Sequence, residues 1–316
     1  MIDGRDPIIV LDHVSKAFGT KPVLQDVSLT VAQGEALCLL GRSGMGKSVT
    51  LKLIIALLAP DIGRIRIAGE DITELDVEQL SHVRRRMGFL FQSAALFDSF
   101  TVYDNLALPL RRFTSKSKGE IQELVDFVLN EVGLLSDKNK MPAELSGGMR
   151  KRAGLARALI LGPEILLVDE PSSGLDRITA SEIDDLLLRE KTKQKTTMVI
   201  VTHDARGARR VGDRFAVLDR GRLLAGAPGN SEECHGDRCC ERSCERWRGG
   251  RHPGAGVRRH SHARRSRTRR DAGCAGRTAA AEQVFDQPRR YRVLPYHGRS
   301  AARSNLRRTG ASGRRH

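Results

Sequence analysis

The chain has 316 residues and a formal net charge of +16, unevenly spread: residues 1–225 carry 32 Lys and Arg against 30 acids, and residues 226–316 carry 22 Arg, no Lys and 8 acids. No apolar run approaches the roughly 18–20 residues of a membrane span, and residues 1–7 lack the apolar core of a signal peptide. Cys38 is the only cysteine among the first 225 residues, which excludes a disulfide framework there and suits a reducing cytoplasm.

Ile8–Leu11 and Val27–Val31 are predicted strands around a turn at Phe18–Pro22. Ala36–Leu40 reads as a short buried strand and runs into Gly41-Arg42-Ser43-Gly44-Met45-Gly46-Lys47-Ser48. That octet matches the phosphate-loop pattern Gly-x-x-x-x-Gly-Lys-Ser/Thr. Val49, Leu51, Leu53, Ile54, Leu57 and Leu58 then recur at helical spacing. A glycine-rich turn between strand and helix aims backbone N–H groups at one point, where the helix dipole also favours an anion. Gly41, Gly44 and Gly46 let the backbone approach a pyrophosphate. Lys47 would reach the β- and γ-phosphates, and the Ser48 hydroxyl would ligate Mg²⁺. The alternative, a glycine turn before a core helix, fits the flanking strand and helix less well. The expectation is a nucleoside triphosphate site.

Beyond Pro60–Gly63, Arg64–Ile67 alternates like a half-exposed strand. Val77–Arg86 is predicted helical, Met87–Phe91 a buried strand and Ile121–Val132 a helix packed by one face. Ser146–Leu161 forms a further helix closed by Gly162-Pro163. Ile165–Val168, Met198–Val201 and Phe215–Leu218 are apolar strands, with a helix at Arg177–Lys191 between the first two. Short apolar strands alternating with helices imply an α/β sheet with ligands at the carboxyl ends of its strands.

Three further clusters bear on chemistry. Asp169-Glu170 ends a strand, where the Asp can hold Mg²⁺ and the Glu can polarise the attacking water, or the two acids can simply cap the strand. His203 ends the strand Met198–Val201 on the same sheet edge and could contact the γ-phosphate, although a lone histidine there is more often structural. Leu145-Ser146-Gly147-Gly148-Met149 opens a helix that Ser146 would cap, a second anion site without a lysine. If the two phosphate features cannot reach one nucleotide within a chain, a symmetric pair of chains would let each complete the other.

In order and spacing these segments resemble an ABC transporter ATPase over residues 7–228: Walker A (Gly41–Ser48), Gln92, the signature (Leu145–Met149), Walker B (Ile165–Glu170), Ser173–Asp176 and His203. The resemblance implies an α/β P-loop NTPase of the ABC type, with a RecA-like mixed sheet, an antiparallel β subdomain and an α-helical subdomain carrying the signature. It implies ATP and Mg²⁺, with Ser48, Gln92 and Asp169 at the metal and Lys47, Gln92, Glu170 and His203 in catalysis. Phe18 would stack on adenine, and Gly41 through Ser48 together with Ser146, Gly147 and Gly148 would bind phosphate. Asp176 would sit at the dimer seam. Arg84–Phe97, Thr101–Leu110 and Met149 look like the Mla-type lipid transporters. That subfamily implies phospholipid or other hydrophobic cargo, a homodimer of ATPase subunits, an integral-membrane permease and an MCE-domain substrate-binding protein. The chain would then sit at the cytoplasmic face of the inner membrane. On charge alone, Arg84–Arg86 is equally a solvated helix end.

Residues 229–316 depart from the family. Isoleucine and methionine are absent, and Leu294 and Leu306 are the only leucines. The composition favours a disordered tail or a frame-shifted end over a second core. Cys234, His235, Cys239, Cys240 and Cys244 fit no C-x₂-C zinc scheme. No nucleic acid is expected as partner, and a ribosome- or nucleic-acid-directed ABC ATPase using the basic tail is the rival reading.

Overall fold

The two longest strands, β1 (Pro7–Phe18) and β2 (Lys21–Ala32), pair antiparallel around a turn at Gly19-Thr20 in a computed structural model that describes residues 6–228. Residues 229–316, including the expected tail, its cysteine group and the nucleic-acid reading built on it, lie outside the described residues. β4 (Ile62–Ile67) adds to β1, and the short β5 (Glu70–Asp71) adds to β4. These four strands make one antiparallel sheet in the order β2-β1-β4-β5.

The second sheet holds β3 (Ala36–Leu40), β6 (Met87–Leu90), β7 (Ile165–Asp169), β8 (Thr197–Thr202), β9 (Arg214–Asp219) and β10 (Arg222–Pro228). Its order is β10-β9-β3-β8-β7-β6, parallel from β9 to β6 and antiparallel at the β10 edge. Successive side chains of a strand face opposite ways, so both faces of this sheet need cover. Leu37, Leu39, Leu167, Val199 and Val201 pack toward the antiparallel sheet and helix α1 (Lys47–Ile54). Ala36, Cys38, Leu166, Val168, Met198 and Ile200 pack toward helices α5 (Gly147–Leu159), α6 (Arg177–Gln194) and α7 (Ala205–Val211). Every residue of β7 is buried, which explains its unbroken apolar run.

A separate apolar cluster joins α3 (Val102–Phe113), α4 (Lys118–Glu131) and α5. α3 has no counterpart among the elements expected from the sequence, although Val102, Leu106 and Leu110 keep helical spacing through Pro109. It starts where the Thr101 side chain accepts from the Asp104 N–H at 3.1 Å. Its buried Asn105 donates to the carbonyls of Phe97, Phe100 and Thr101 and accepts from the Phe97 N–H, tying down the chain beyond Gln92. α4 begins with Ser117 and Glu120 exchanging side-chain and backbone hydrogen bonds, a capping box.

The helix after the phosphate loop is shorter than its apolar spacing predicts, ending at Ile54 rather than running to Leu58. Ala56 turns left-handed at φ 57°, and the carbonyls of Ile55 and Ala56 accept from the Arg84 guanidinium at 3.1 and 2.8 Å. Arg84 sits on α2 (Val77–Arg85) and closes α1 from outside, as cations at helix C-termini do. The neighbouring Arg86 pairs with both carboxylate oxygens of Glu164, at 3.0 and 2.7 Å. Arg84 and Arg86 are therefore structural partners, and the solvated reading survives only for Arg85.

Candidate functional site

β8 lies between β3 and β7, so the carboxyl ends of all three strands open on one edge of the sheet. Leu40, the last residue of β3, pairs with Thr202, and Asp169 at the end of β7 pairs with Val201. The parallel register thereby brings residues 41–48, 169–170 and 203 together from three separate parts of the chain.

Within the loop, the glycines have different reasons. Gly46 has φ 100°, and a Cβ there would meet Leu24 Cδ2 at 2.7 Å and the Val23 carbonyl at 2.9 Å. A Cβ on Gly41 would collide with the Leu218 carbonyl of β9. Gly41 thus serves close packing against a strand as well as the approach of a phosphate, a reason invisible in the sequence.

Lys47 is only 6% exposed, and its ammonium donates to the carbonyls of Gly41 at 2.8 Å and Arg42 at 3.1 Å. The same nitrogen lies 3.3 Å from Glu170 Oε1. The other carboxylate oxygen, Oε2, is 2.7 Å from His203 Nδ1 and accepts from the His203 backbone N–H at 3.3 Å. Lys47, Glu170 and His203 form one contact chain. Glu170 itself has φ 48°, a left-handed backbone that costs a non-glycine residue about 1–3 kcal/mol and persists only where the surrounding structure holds it.

Ser48 donates its hydroxyl to Asp169 Oδ1 at 2.9 Å. Burial pushes the Asp169 carboxyl above its ordinary range and Glu170 adds to this, while the Ser48 hydrogen bond, Lys52 and Lys151 pull it down. A desolvated carboxylate beside a hydroxyl is a pair of hard oxygen donors suited to Mg²⁺. Among the described residues no group of three or more His, Cys, Asp or Glu could hold a metal without other ligands.

Gln92 is exposed beyond β6, with its amide nitrogen 3.5 Å from the Ser173 hydroxyl. Phe18 ends β1, 49% exposed, with the Lys16 ammonium 5.8 Å from its ring centre. The signature residues stand apart from the Lys47 cluster. Ser146 is exposed and its hydroxyl accepts from the Met149 N–H at 3.2 Å, capping α5. Gly147 is open, meeting only a Leu175 methyl at 3.6 Å, whereas a Cβ on Gly148 would strike Thr179 of α6. Gly148 therefore permits helix packing, and Gly147 alone leaves free space. Asp176 caps α6, accepting from the Ile178 and Thr179 N–H groups at 3.0 Å each. The Thr179 hydrogen bonds hold its carboxyl below the usual range.

Lys151, the middle residue of Arg150-Lys151-Arg152, carries no separate reading in the sequence. Its side chain is buried and its ammonium donates to the Glu170 carbonyl at 2.8 Å. The signal was available in principle, because helical spacing from the buried Gly148 and Leu155 puts residue 151 on the inner face of α5.

The family model for ABC transporters matches residues 24–173. The dimeric bacterial ABC transporter cassette MJ0796 superposes with a TM-score of 0.67 at 32% identity, covering 71% of this chain and 99% of that one. The chain belongs to the ABC transporter ATPase family. That family consists of ATP-hydrolysing cassettes that use Mg²⁺, and a structure of MJ0796 in a post-hydrolysis state with ADP and Pi matches equally well. Among curated relatives, the probable ribonucleotide transport ATP-binding protein mkl of Mycobacterium leprae is 45% identical over 229 residues, covering 72% of this chain and 66% of that protein. The methionine import ATP-binding protein MetN 2 of Pseudomonas entomophila is 44% identical over 207 residues, covering 66% of this chain and 62% of that protein. The chain thus spans 62–66% of the length of these two relatives.

Proposed function

We propose that this chain is the ATP-hydrolysing subunit of an ABC transporter and works as a homodimer against a separate membrane permease. The observation that carries the reading is Glu170, whose two carboxylate oxygens lie 3.3 Å from the Lys47 ammonium and 2.7 Å from His203 Nδ1. With ATP in the loop, Lys47 exchanges the Gly41 and Arg42 carbonyls for β- and γ-phosphate oxygens. Ser48 and Asp169, with Gln92 nearby, would hold Mg²⁺, which would offset the charge of the phosphates. Glu170 takes a proton from water as the water oxygen bonds to the γ-phosphorus. The bond from that phosphorus to the bridging oxygen breaks, and its electron pair leaves with ADP. His203 steadies Glu170 through Nδ1, leaving Nε2 for the γ-phosphate. Phe18 stacks on adenine from the rim of the site. Ser146 and Gly147 of each subunit face the nucleotide of the other, with Gly148 behind them and Asp176 near the seam.

The finer reading is phospholipid or other hydrophobic cargo, with an MCE-domain protein as accessory partner. It is supported by the likeness of Arg84–Phe97, Thr101–Leu110 and Met149 to Mla-type cassettes. A second reading takes its cargo from the relatives' names, ribonucleotide or methionine. Among the described residues no helix is long and apolar enough to cross a membrane, so attachment to the inner face would come through the permease.

Glu170→Gln tests the core of this reading. It should keep ATP binding, slow hydrolysis by about 100-fold or more and accumulate an ATP-bound dimer on size-exclusion chromatography with Mg²⁺. Parental turnover, or a chain that stays monomeric, refutes it. For the cargo, the chain co-purified with its permease in nanodiscs should show ATPase stimulated by phospholipid. Stimulation by ribonucleotide or methionine instead would move the assignment.

A further inference from the structure

Glu170 can act only if its side chain is aimed, and its backbone is an unusual one. The residue has φ 48°, and its N–H donates to the Val201 carbonyl at 2.8 Å, which fixes the upstream peptide. Downstream stands Pro171, which has no N–H to donate. The Glu170 carbonyl is therefore the near main-chain handle on that side. It accepts from the Ser173 N–H at 3.2 Å and from the Lys151 ammonium at 2.8 Å.

Lys151 is a poor choice for stability alone. It is 5% exposed, and burial pushes its ammonium below the usual lysine range, with Asp169 and Glu170 holding it up. A buried ammonium bonded to a carbonyl bears a desolvation penalty that an apolar side chain of similar length would avoid. What the charge does accomplish is geometric. Lys151 lies on α5, the helix whose N-terminus carries Ser146, Gly147 and Gly148. One helix thus ends at the exposed signature and grips, from its buried face, the backbone of Glu170. The same helix holds the loop beyond Gln92, where the Arg157 guanidinium donates to the carbonyls of Ala94 and Ala95, both left-handed.

We propose that Lys151 is a positioning residue that fixes the Glu170 carboxylate from behind and ties its aim to the signature helix of the same chain. Engagement of Ser146 by the nucleotide of the opposite subunit would then reach Glu170 through the first turns of α5. This rests on Glu170 as the base, so the experiment tests the two separately.

Steady-state ATPase, ATP affinity, melting temperature and ATP-driven dimerisation are measured for the whole chain carrying Lys151→Met, Lys151→Arg, Glu170→Gln and the Lys151→Met/Glu170→Gln pair. Single-turnover hydrolysis serves for the slow variants. Lys151→Met should lower kcat by about 10–100-fold, with KM and dimerisation kept and the melting temperature unchanged or raised. Lys151→Arg should recover kcat to within a few-fold of the parent. In the Glu170→Gln background the methionine should cost nothing further, because both changes remove one function. Parental kcat in Lys151→Met overturns the proposal while leaving the base intact. So does a fall in melting temperature with the same fractional loss in both backgrounds, since that marks a merely structural lysine. Parental turnover in Glu170→Gln overturns base and positioning together. If the methionine variant does not fold, Lys151→Gln is read by the same measures.

Discussion

The phosphate loop and the signature turn of this cassette are built alike and finished differently. Each is a glycine-bearing turn at the start of a helix, where free N–H groups and the helix dipole favour an anion. The loop at Gly41–Ser48 meets its partners inside the chain: Lys47 reaches Glu170, Ser48 reaches Asp169, and Glu170 reaches His203. The turn at Ser146–Gly148 caps its own helix and otherwise opens to solvent, with Ser146 and Gly147 exposed. A parallel sheet gathers strand ends from distant sequence onto one edge, so the first site is completed locally. The second lies at the start of α5 and not at that edge, and its Ser146 and Gly147 stay exposed in the single chain.

Lys47→Ala should break the first site outright. It removes the one buried cation placed for the β- and γ-phosphates and leaves Glu170 Oε1 without its neighbour at 3.3 Å. ATP affinity, by equilibrium titration, should fall by about 100-fold or more. Near-parental affinity would mean that the loop is an ordinary glycine turn.

Ser146→Asp separates the second site from the helix it opens. Aspartate caps as well as serine does, so α5 and the melting temperature should be held. Its charge would face the opposite subunit's triphosphate, so ATP-driven dimerisation should disappear and hydrolysis fall by about 100-fold, while each chain still binds ATP. Loss of single-chain ATP binding would show that the signature does not act across subunits.

Asp184→Asn probes the support behind the finished site, with an effect on stability and its pH dependence rather than on ATP binding. Asp184 of α6 is buried, lines a cavity with Pro171, Ser172 and Thr202, and sits against Gly207, where a Cβ would come within 2.9 Å of its carboxylate. Burial and then Asp204 push its carboxyl up to about 6, against a countering pull from Arg210. A carboxyl raised on folding holds its proton more tightly in the native state, so the contribution of Asp184 to stability should fall as pH rises from about 4 to about 6. The loss is at most about 3 kcal/mol, taking 1.4 kcal/mol per unit. Relative to the parent, the asparagine variant should gain stability as pH rises through that window and melt higher at pH 7. An unchanged pH profile would show that Asp184 is ionised at no cost.

How much was legible follows from where each constraint lies along the chain. The phosphate loop, the Ser146 cap and the acids at 169–170 are local patterns, set by what a turn or a helix start demands of consecutive residues. The buried strands show as apolar runs for the same reason. α3 is the helix absent from the sequence reading: Val102, Leu106 and Leu110 keep helical spacing, but an internal Pro109 argues against a helix, and Asn105 holds the preceding loop through contacts that only the folded chain makes.

Sequence alone determined the chemistry: a lysine, a hydroxyl, two acids and a histidine, each at a strand end or helix start where its type has a use. Tertiary structure decided which of them meet and what holds them. The register of β3, β8 and β7 brings Glu170 between Lys47 and His203. Gly41 and Gly148 are needed for packing against Leu218 and Thr179, and Arg84 closes a helix 28 residues upstream. Lys151, one cation in a run of three, turns inward to the Glu170 carbonyl. Contacts between residues far apart in sequence leave no mark on either segment alone, because the physical demand is on the pair.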